Sequence, residues 1–312
     1  MLNVKEERIL LSETQDLGKK RAVALGFFDG IHIGHRKLIS TMIEKARENG
    51  LIATVFTLSN FPTADSEHLT TREEKIEILR ELGADEIVCA DFGDIRNMPA
   101  RDFIMSYLVE HLNAALLVYG TDYRFGAGAE GDAKMLETLS DECGIDRVMV
   151  EDVYYEGEKC SSSRIRRLLS TGAADEVRPL LGDRFFSYEG IVQPGKKLGR
   201  TLGFPTTNIM IPKDKFKVRF GVYRSLSYIG GREYPSISNI GIRPTVEDSE
   251  NINCETFVYN FHEDVYGQSV KVGLMEFIRE EKRFGSVDEL KEQVESDKKK
   301  VANLWEINII GN

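Results

Sequence analysis

The chain has 312 residues, of which 41% are hydrophobic and 29% charged, and it carries a formal net charge of −10. That length gives room for two domains with cores of their own, and the acidic balance excludes a general nucleic-acid binder while leaving room for a local nucleotide pocket. No apolar run is long enough to span a bilayer, no signal-peptide core follows Met1, and Cys89, Cys143, Cys160 and Cys254 are scattered without a C-x-x-C pair, so the expectation is a cytoplasmic protein without membrane contacts, disulfide framework or zinc site.

From residue 21 to about 180, short apolar runs alternate with helical patterns. The run 21–25 reads as a buried strand, and Leu38, Ile39, Met42, Ile43 and Ala46 form one stripe of the helix that follows. Further strands are predicted over 51–56, 86–90, 115–119 and 147–150, and helices over 72–82, 100–111, 132–143 and 162–169. Such alternation predicts an α/β unit with a parallel sheet covered on both faces, whose ligands bind beyond the carboxyl ends of its strands. After Gly182 glycines become frequent, and segments such as 222–226 and 256–261 are rich in β-branched and aromatic residues, the pattern of a small antiparallel barrel. A final helix is predicted over 287–305, with Ser286 as N-cap and Glu289 three residues on. The charge run 297–300 reads as a solvated face of that helix.

The stretch Gly26-Phe27-Phe28-Asp29-Gly30-Ile31-His32-Ile33-Gly34-His35 occupies the first strand-to-helix turn. Backbone N–H groups at a helix start favour anions, glycines admit a phosphate close to the backbone, and imidazoles can meet charge developing on phosphorus. A second candidate is Cys160-Ser161-Ser162-Ser163-Arg164-Ile165-Arg166, where hydroxyls and arginines could hold phosphates, or a serine could simply cap the helix. Gly126, Gly128 and Gly131 spell G-x-G-x-x-G, but too far along and too far past a strand for a dinucleotide fingerprint. Residues 190–197 nearly spell a P-loop and fail at Lys197, where Ser or Thr would be needed.

The first stretch resembles the H-x-G-H signature of the nucleotidyltransferase superfamily, and the longer string resembles the adenylyltransferase half of bacterial bifunctional riboflavin kinase/FAD synthetases. Residues 160–166 are similar to that family's I-S-S-T-R-I-R, with Cys160 and Ser163 substituted. Residues 119–132 resemble its G-x-D-F-x-F-G loop, and 69–75 its second helix start. In the second half, Gly199-Arg200-Thr201-Leu202-Gly203-Phe204-Pro205-Thr206-Thr207-Asn208 resembles the riboflavin kinase signature, with Thr207 in place of Ala, and 239–245 matches N-I-G-x-R-P-T. The family's F-D-P-H-P stretch is missing; Phe56-Thr57-Leu58-Ser59-Asn60-Phe61-Pro62 stands there.

The resemblance implies a Rossmann-like nucleotidyltransferase domain over 1–182 and a Greek-key barrel kinase domain with a terminal helix over 183–312. It implies phosphorylation of riboflavin by ATP with Mg²⁺ to give FMN, then transfer of AMP from ATP to FMN, giving FAD and pyrophosphate. His32, His35 and the kinase base Glu255 are the implied catalytic residues. ATP would meet Gly26, Phe27, Asp29, Gly34, Ser162, Arg164 and Arg166 in the first domain, and Gly195, Gly199 and Arg200 in the second. Flavin would meet Asp122, Phe125, Asn239, Arg243, Arg279 and Phe284, and Thr206 and Asn208 would hold the metal. An aminoacyl-tRNA-synthetase-like enzyme would need a K-M-S-K-S-type loop and a basic RNA-binding domain, which the chain lacks. A flavin-responsive protein without turnover would not need the intact H-x-G-H and P-T-x-N stretches.

Overall fold

The computed structural model describes residues 4–11, 18–58, 67–193, 205–242 and 252–306. Two compact units emerge, Met1–Ser162 and Ser163–Asn312.

The first unit runs β1 (Glu6–Leu10), β2 (Arg21–Leu25), α1 (Ile33–Asn49), β3 (Ile52–Leu58), α2 (Arg72–Leu82), β4 (Glu86–Ala90), α3 (Phe92–Ile95), α4 (Ala100–Asp102, continuing through the wider turns of Phe103–His111), β5 (Ala114–Gly120), α5 (Ala133–Cys143), β6 (Asp146–Val150), and a hairpin of β7 (Tyr154–Tyr155) and β8 (Glu158–Lys159). The sheet order is β1-β4-β3-β2-β5-β6. The last five are parallel, and β1 pairs with β4 antiparallel, Arg8 opposite Val88. No periodicity in the sequence predicts β1; an antiparallel edge strand is a common addition to such sheets. β2 is central and wholly buried because one core covers each face: Met42, Ile39 and Leu79 on one side, Phe103, Tyr107 and Leu136 on the other. The strand order reverses between β2 and β5, so the loops leaving these two strands flank the crevice at the switch point.

In chain order, α6 (Ser162–Thr171) crosses the boundary of the units. The second unit continues with α7 (Ala174–Val177), β9 (Ser187–Ile191), β10 (Thr207–Met210), β11 (Gly221–Ile229), β12 (Arg232–Ile242), β13 (Ile252–Val258), β14 (Ser269–Arg279) and α8 (Val287–Leu304). Its strands, all antiparallel, lie in the order β10-β13-β12-β11-β14-β9. The N–H of Gln193 donates to the Asn208 carbonyl at 2.9 Å and nearly closes the barrel. Ser286 caps α8 as the sequence predicts, its Oγ accepting from the Glu289 N–H at 3.2 Å.

Two features depart from ordinary patterning. Inside the barrel the hydroxyls of Ser227, Ser236, Ser225, Ser238 and Thr256 form one chain, each link 2.7–2.9 Å. They are fully buried, and each satisfies its neighbour, which is what makes polar groups tolerable there. Asp297, read from sequence as part of a solvated face, is only 6% exposed. The Arg279 guanidinium reaches it at 2.8 Å and 2.6 Å and ties α8 to β14.

Candidate active sites

The turn after β2 is built under strain. Phe28 and Ile31 hold positive φ of 53° and 38°, values that non-glycine residues adopt at a cost. A side chain on Gly26 would strike the Phe28 ring at 2.8 Å, so the glycine lets that ring cover the strand end. The buried Asp29 carboxylate accepts from the N–H groups of Leu69 and Thr70 at 2.9 Å and 3.3 Å, and Thr70 Oγ1 accepts from the Gly30 N–H at 3.2 Å. Ser162 Oγ closes the turn from the other side, donating to the Asp29 carbonyl at 2.8 Å.

His32 is the N-cap of α1. Its Nδ1 accepts from the His35 N–H at 3.3 Å. That bond fixes the neutral tautomer, with the proton on Nε2. The two imidazoles stack with centroids 3.6 Å apart and planes 19° apart. Gly34 makes the stack feasible, because a Cβ there would lie 3.1 Å from the His32 ring. Burial pushes the His32 pKa down to about 4; Asp122 opposes this and Lys159 adds to it. His35 falls well below its ordinary value through burial, the neighbouring His32 and Lys75. Both rings are therefore neutral at pH 7, and the buried Nδ1 of His35 has no hydrogen-bond partner among the described residues.

A cation sits on either side. Lys75 Nζ donates to the Phe27 carbonyl at 2.9 Å and lies 4.7 Å from the Phe27 ring centroid. Lys159 Nζ bridges Asp122 at 2.8 Å and Asp152 at 2.9 Å, linking the loops after β5 and β6 to the hairpin. Asp122 is thus an ion-pair partner of Lys159. Phe125 is core, packed on Tyr123 and Phe103 with ring centroids 5.8 Å away in each case. Arg164 and Arg166 lie in the second unit; Arg164 is 9% exposed, and the Arg166 guanidinium sits 6.0 Å from the Phe216 ring centroid.

The barrel carries a second constellation. Register places Asn208 opposite Glu255, and Glu255 opposite Asn239, across three neighbouring strands. Thr206 Oγ1 donates to Glu255 Oε1 at 2.7 Å, Asn208 Nδ2 reaches Thr206 Oγ1 at 3.5 Å, and Asn253 Nδ2 donates to Asn208 Oδ1 at 3.3 Å. Glu255, singled out in the sequence apart from the Thr206 and Asn208 pair, thus joins them in one hydrogen-bonded group. Asn239 Nδ2 donates to Glu281 Oε1 at 3.2 Å. Arg279 is committed to Asp297, and Phe284 lies 5.7 Å from Lys282 Nζ. Gly195, Gly199, Arg200 and Arg243 lie outside the described residues, as does the stretch 59–62.

A family model described as FAD synthetase matches residues 14–164, and one described as riboflavin kinase matches residues 182–305. The chain is 33% identical over 297 residues to the bifunctional riboflavin kinase/FMN adenylyltransferase of Bacillus subtilis (strain 168), covering 92% of this chain and 93% of that one. It belongs to the bifunctional riboflavin kinase/FMN adenylyltransferase family. The relative of that name from Escherichia coli (strain K12) is 35% identical over 283 residues, covering 88% of this chain and 90% of the relative. A solved structure titled as a macrolide-efflux protein from Streptococcus pneumoniae superposes with a TM-score of 0.83 at 29% identity, covering 94% of this chain and 97% of that one. In the present family member, no helix among the described residues is long and apolar enough to cross a membrane.

The stacked histidines fall within the FAD synthetase match, and the Thr206–Asn208–Glu255 group within the riboflavin kinase match. Sequence reasoning missed Lys75 and Lys159 as site residues. The signal for Lys75 was the stretch 69–75, noted only as a helix start; nothing in the sequence marks Lys159.

Proposed function

We propose that this family member makes FAD from riboflavin in two ATP-dependent steps, at two separate sites. Residues 183–312 phosphorylate riboflavin, and residues 1–182 adenylylate the resulting FMN. In the first step the primary hydroxyl of riboflavin attacks the γ-phosphorus of ATP, and Glu255 takes its proton. Thr206 already donates to that carboxylate at 2.7 Å, which orients it. The hydroxyl of Thr206 and the amide oxygen of Asn208 are hard neutral donors of the kind Mg²⁺ accepts alongside water and phosphate. They would hold that ion, which neutralises phosphate charge when bound.

In the second step a phosphate oxygen of FMN attacks the α-phosphorus of ATP, and pyrophosphate departs. The neutral imidazoles of His32 and His35 stabilise the charge that develops on the α-phosphoryl oxygens. Ser162, Arg164 and Arg166 hold the outgoing phosphates, and Gly26, Phe27, Asp29 and Gly34 shape the cradle. Asn239 and Phe284 contribute to the flavin sites directly, whereas Asp122, Phe125 and Arg279 support them through Lys159, the aromatic core and Asp297. Both steps draw on ATP, which fits the cytoplasm. One observation carries the reading: two paired imidazoles, held neutral at a helix N-terminus, beside a strained turn. Incubation with riboflavin, ATP and Mg²⁺ followed by flavin chromatography tests it. FMN and then FAD are the expected products, and the formation of neither overturns the reading.

A further inference from the structure

Lys75 is in a costly place. It sits in the first turn of α2, where the helix dipole disfavours a cation. Burial lowers its pKa, only partly offset by Asp29 and Cys89. Among the described residues no carboxylate comes within ion-pairing distance. Its contacts are the Phe27 carbonyl at 2.9 Å, Thr57 Oγ1 at 3.5 Å and the Phe27 ring face. A methionine would fill the same space without the cost. The placement is also enforced from both ends. Thr71 and Glu74 form a reciprocal capping box that fixes the first turn of α2, while Leu69 and Thr70 are bonded to Asp29 of the histidine turn. Helix α2 and that turn are one assembly, with the ammonium between them.

We infer that Lys75 is a positioning residue of the adenylyl-transfer site: its ammonium pins the Phe27 carbonyl, and so the approach to the paired imidazoles, and places a positive charge on that side of the site. The charge acts on His35, which also faces His32; His32 in turn faces Asp122 and Lys159, and Lys75 faces Asp29 and Cys89. Thr57 supports the same carbonyl, its Oγ1 donating to Phe27 O at 2.9 Å, but it brings no charge. Lys75 thus joins two tasks that a neutral donor could not combine.

This inference rests on the adenylyl-transfer reading of the turn, and the experiment separates the two. Wild-type full-length protein is first assayed for FAD formation from FMN and ATP; if none forms, that reading fails before Lys75 is tested. Lys75→Met and Lys75→Arg are then compared in the same assay across pH, with riboflavin phosphorylation as an internal control in the same chain. The expected result for Lys75→Met is a fall in kcat for FAD formation of about tenfold or more, with the KM for ATP changed far less and riboflavin phosphorylation unchanged. The acid limb of its pH profile moves toward neutrality, because one of the like charges that act on His35 beside its burial is gone. Lys75→Arg keeps the charge and therefore keeps the wild-type acid limb. The inference is overturned if Lys75→Met retains the wild-type rate and limb, or if it loses rate with the limb unmoved. Should Lys75→Met not fold, Lys75→Gln is read in its place: a fall in rate with the limb moved toward neutrality supports the inference, and a wild-type rate or an unmoved limb refutes it.

Discussion

The rings of His32 and His35 stack with centroids 3.6 Å apart, and the backbone N–H of His35 donates to Nδ1 of His32. One residue therefore caps the helix, fixes its own tautomer and stacks on its partner. Removing His35 takes away one half of this pair without touching the cap. For His35→Ala we expect FAD formation from FMN to fall by roughly 10²–10³-fold, the usual cost of a lost charge-stabilising donor. Riboflavin phosphorylation by the same protein should persist. Glu255→Ala should do the reverse, with phosphorylation lost and adenylylation of supplied FMN kept. Chromatography of the two half-reactions, run separately, reads both.

The cap also predicts an acid sensitivity. The His32 pKa is lowered from 6.5 to about 4 in the folded chain. Between those values the unfolded chain binds a proton that the folded chain refuses, so stability held above pH 6.5 is lost as pH falls toward 4. His32→Asn keeps a good N-cap acceptor that does not titrate. Its melting temperature should decline less than that of the wild type over this window, as followed by circular dichroism.

Glycine at 126 is required by space as well as by backbone. Its φ is +77°, and a Cβ would lie 2.7–2.9 Å from Ala100, at the start of α4. Gly126→Ala should destabilise the first unit by about 1–3 kcal/mol. Gly128→Ala meets open space at φ +62° and should cost less, so the two melting curves should separate.

In the barrel, Ser238 stands between Ser225 and Thr256 in the hydroxyl chain. Ser238→Ala takes one hydrogen-bond partner from each of two fully buried hydroxyls. A loss of about 1–3 kcal/mol in denaturant unfolding is expected, far more than a surface serine would give.

These cases show what the sequence could and could not say. The run 21–25, the helix over 72–82 and the cap at Ser286 were legible because periodicity and capping are local. β1 was not, since its five residues, Glu6–Leu10, carry three charges and gain strand form only by pairing with β4. The two-residue strands of the hairpin around Glu156 and Gly157 are too short for any pattern. Serines at 225, 227, 236 and 238 alternate as solvent-facing residues would, yet closure of the barrel turns them inward, where they satisfy one another. The H-x-G-H turn and the Thr206, Asn208 and Glu255 positions stood out as motifs. Lys75 and Lys159 did not, because their importance comes from neighbours far away in the chain.

The row Asn208–Glu255–Asn239 has one more implication. In a strand, adjacent residues face opposite ways, so a slip of β13 by a single position would aim Glu255 at the barrel interior and Thr256 at solvent. Phosphoryl transfer and the inner hydroxyl thread would then be lost together. Kinase turnover is thus a gauge of correct strand alignment, and a refolded sample that phosphorylates riboflavin has already certified its own barrel.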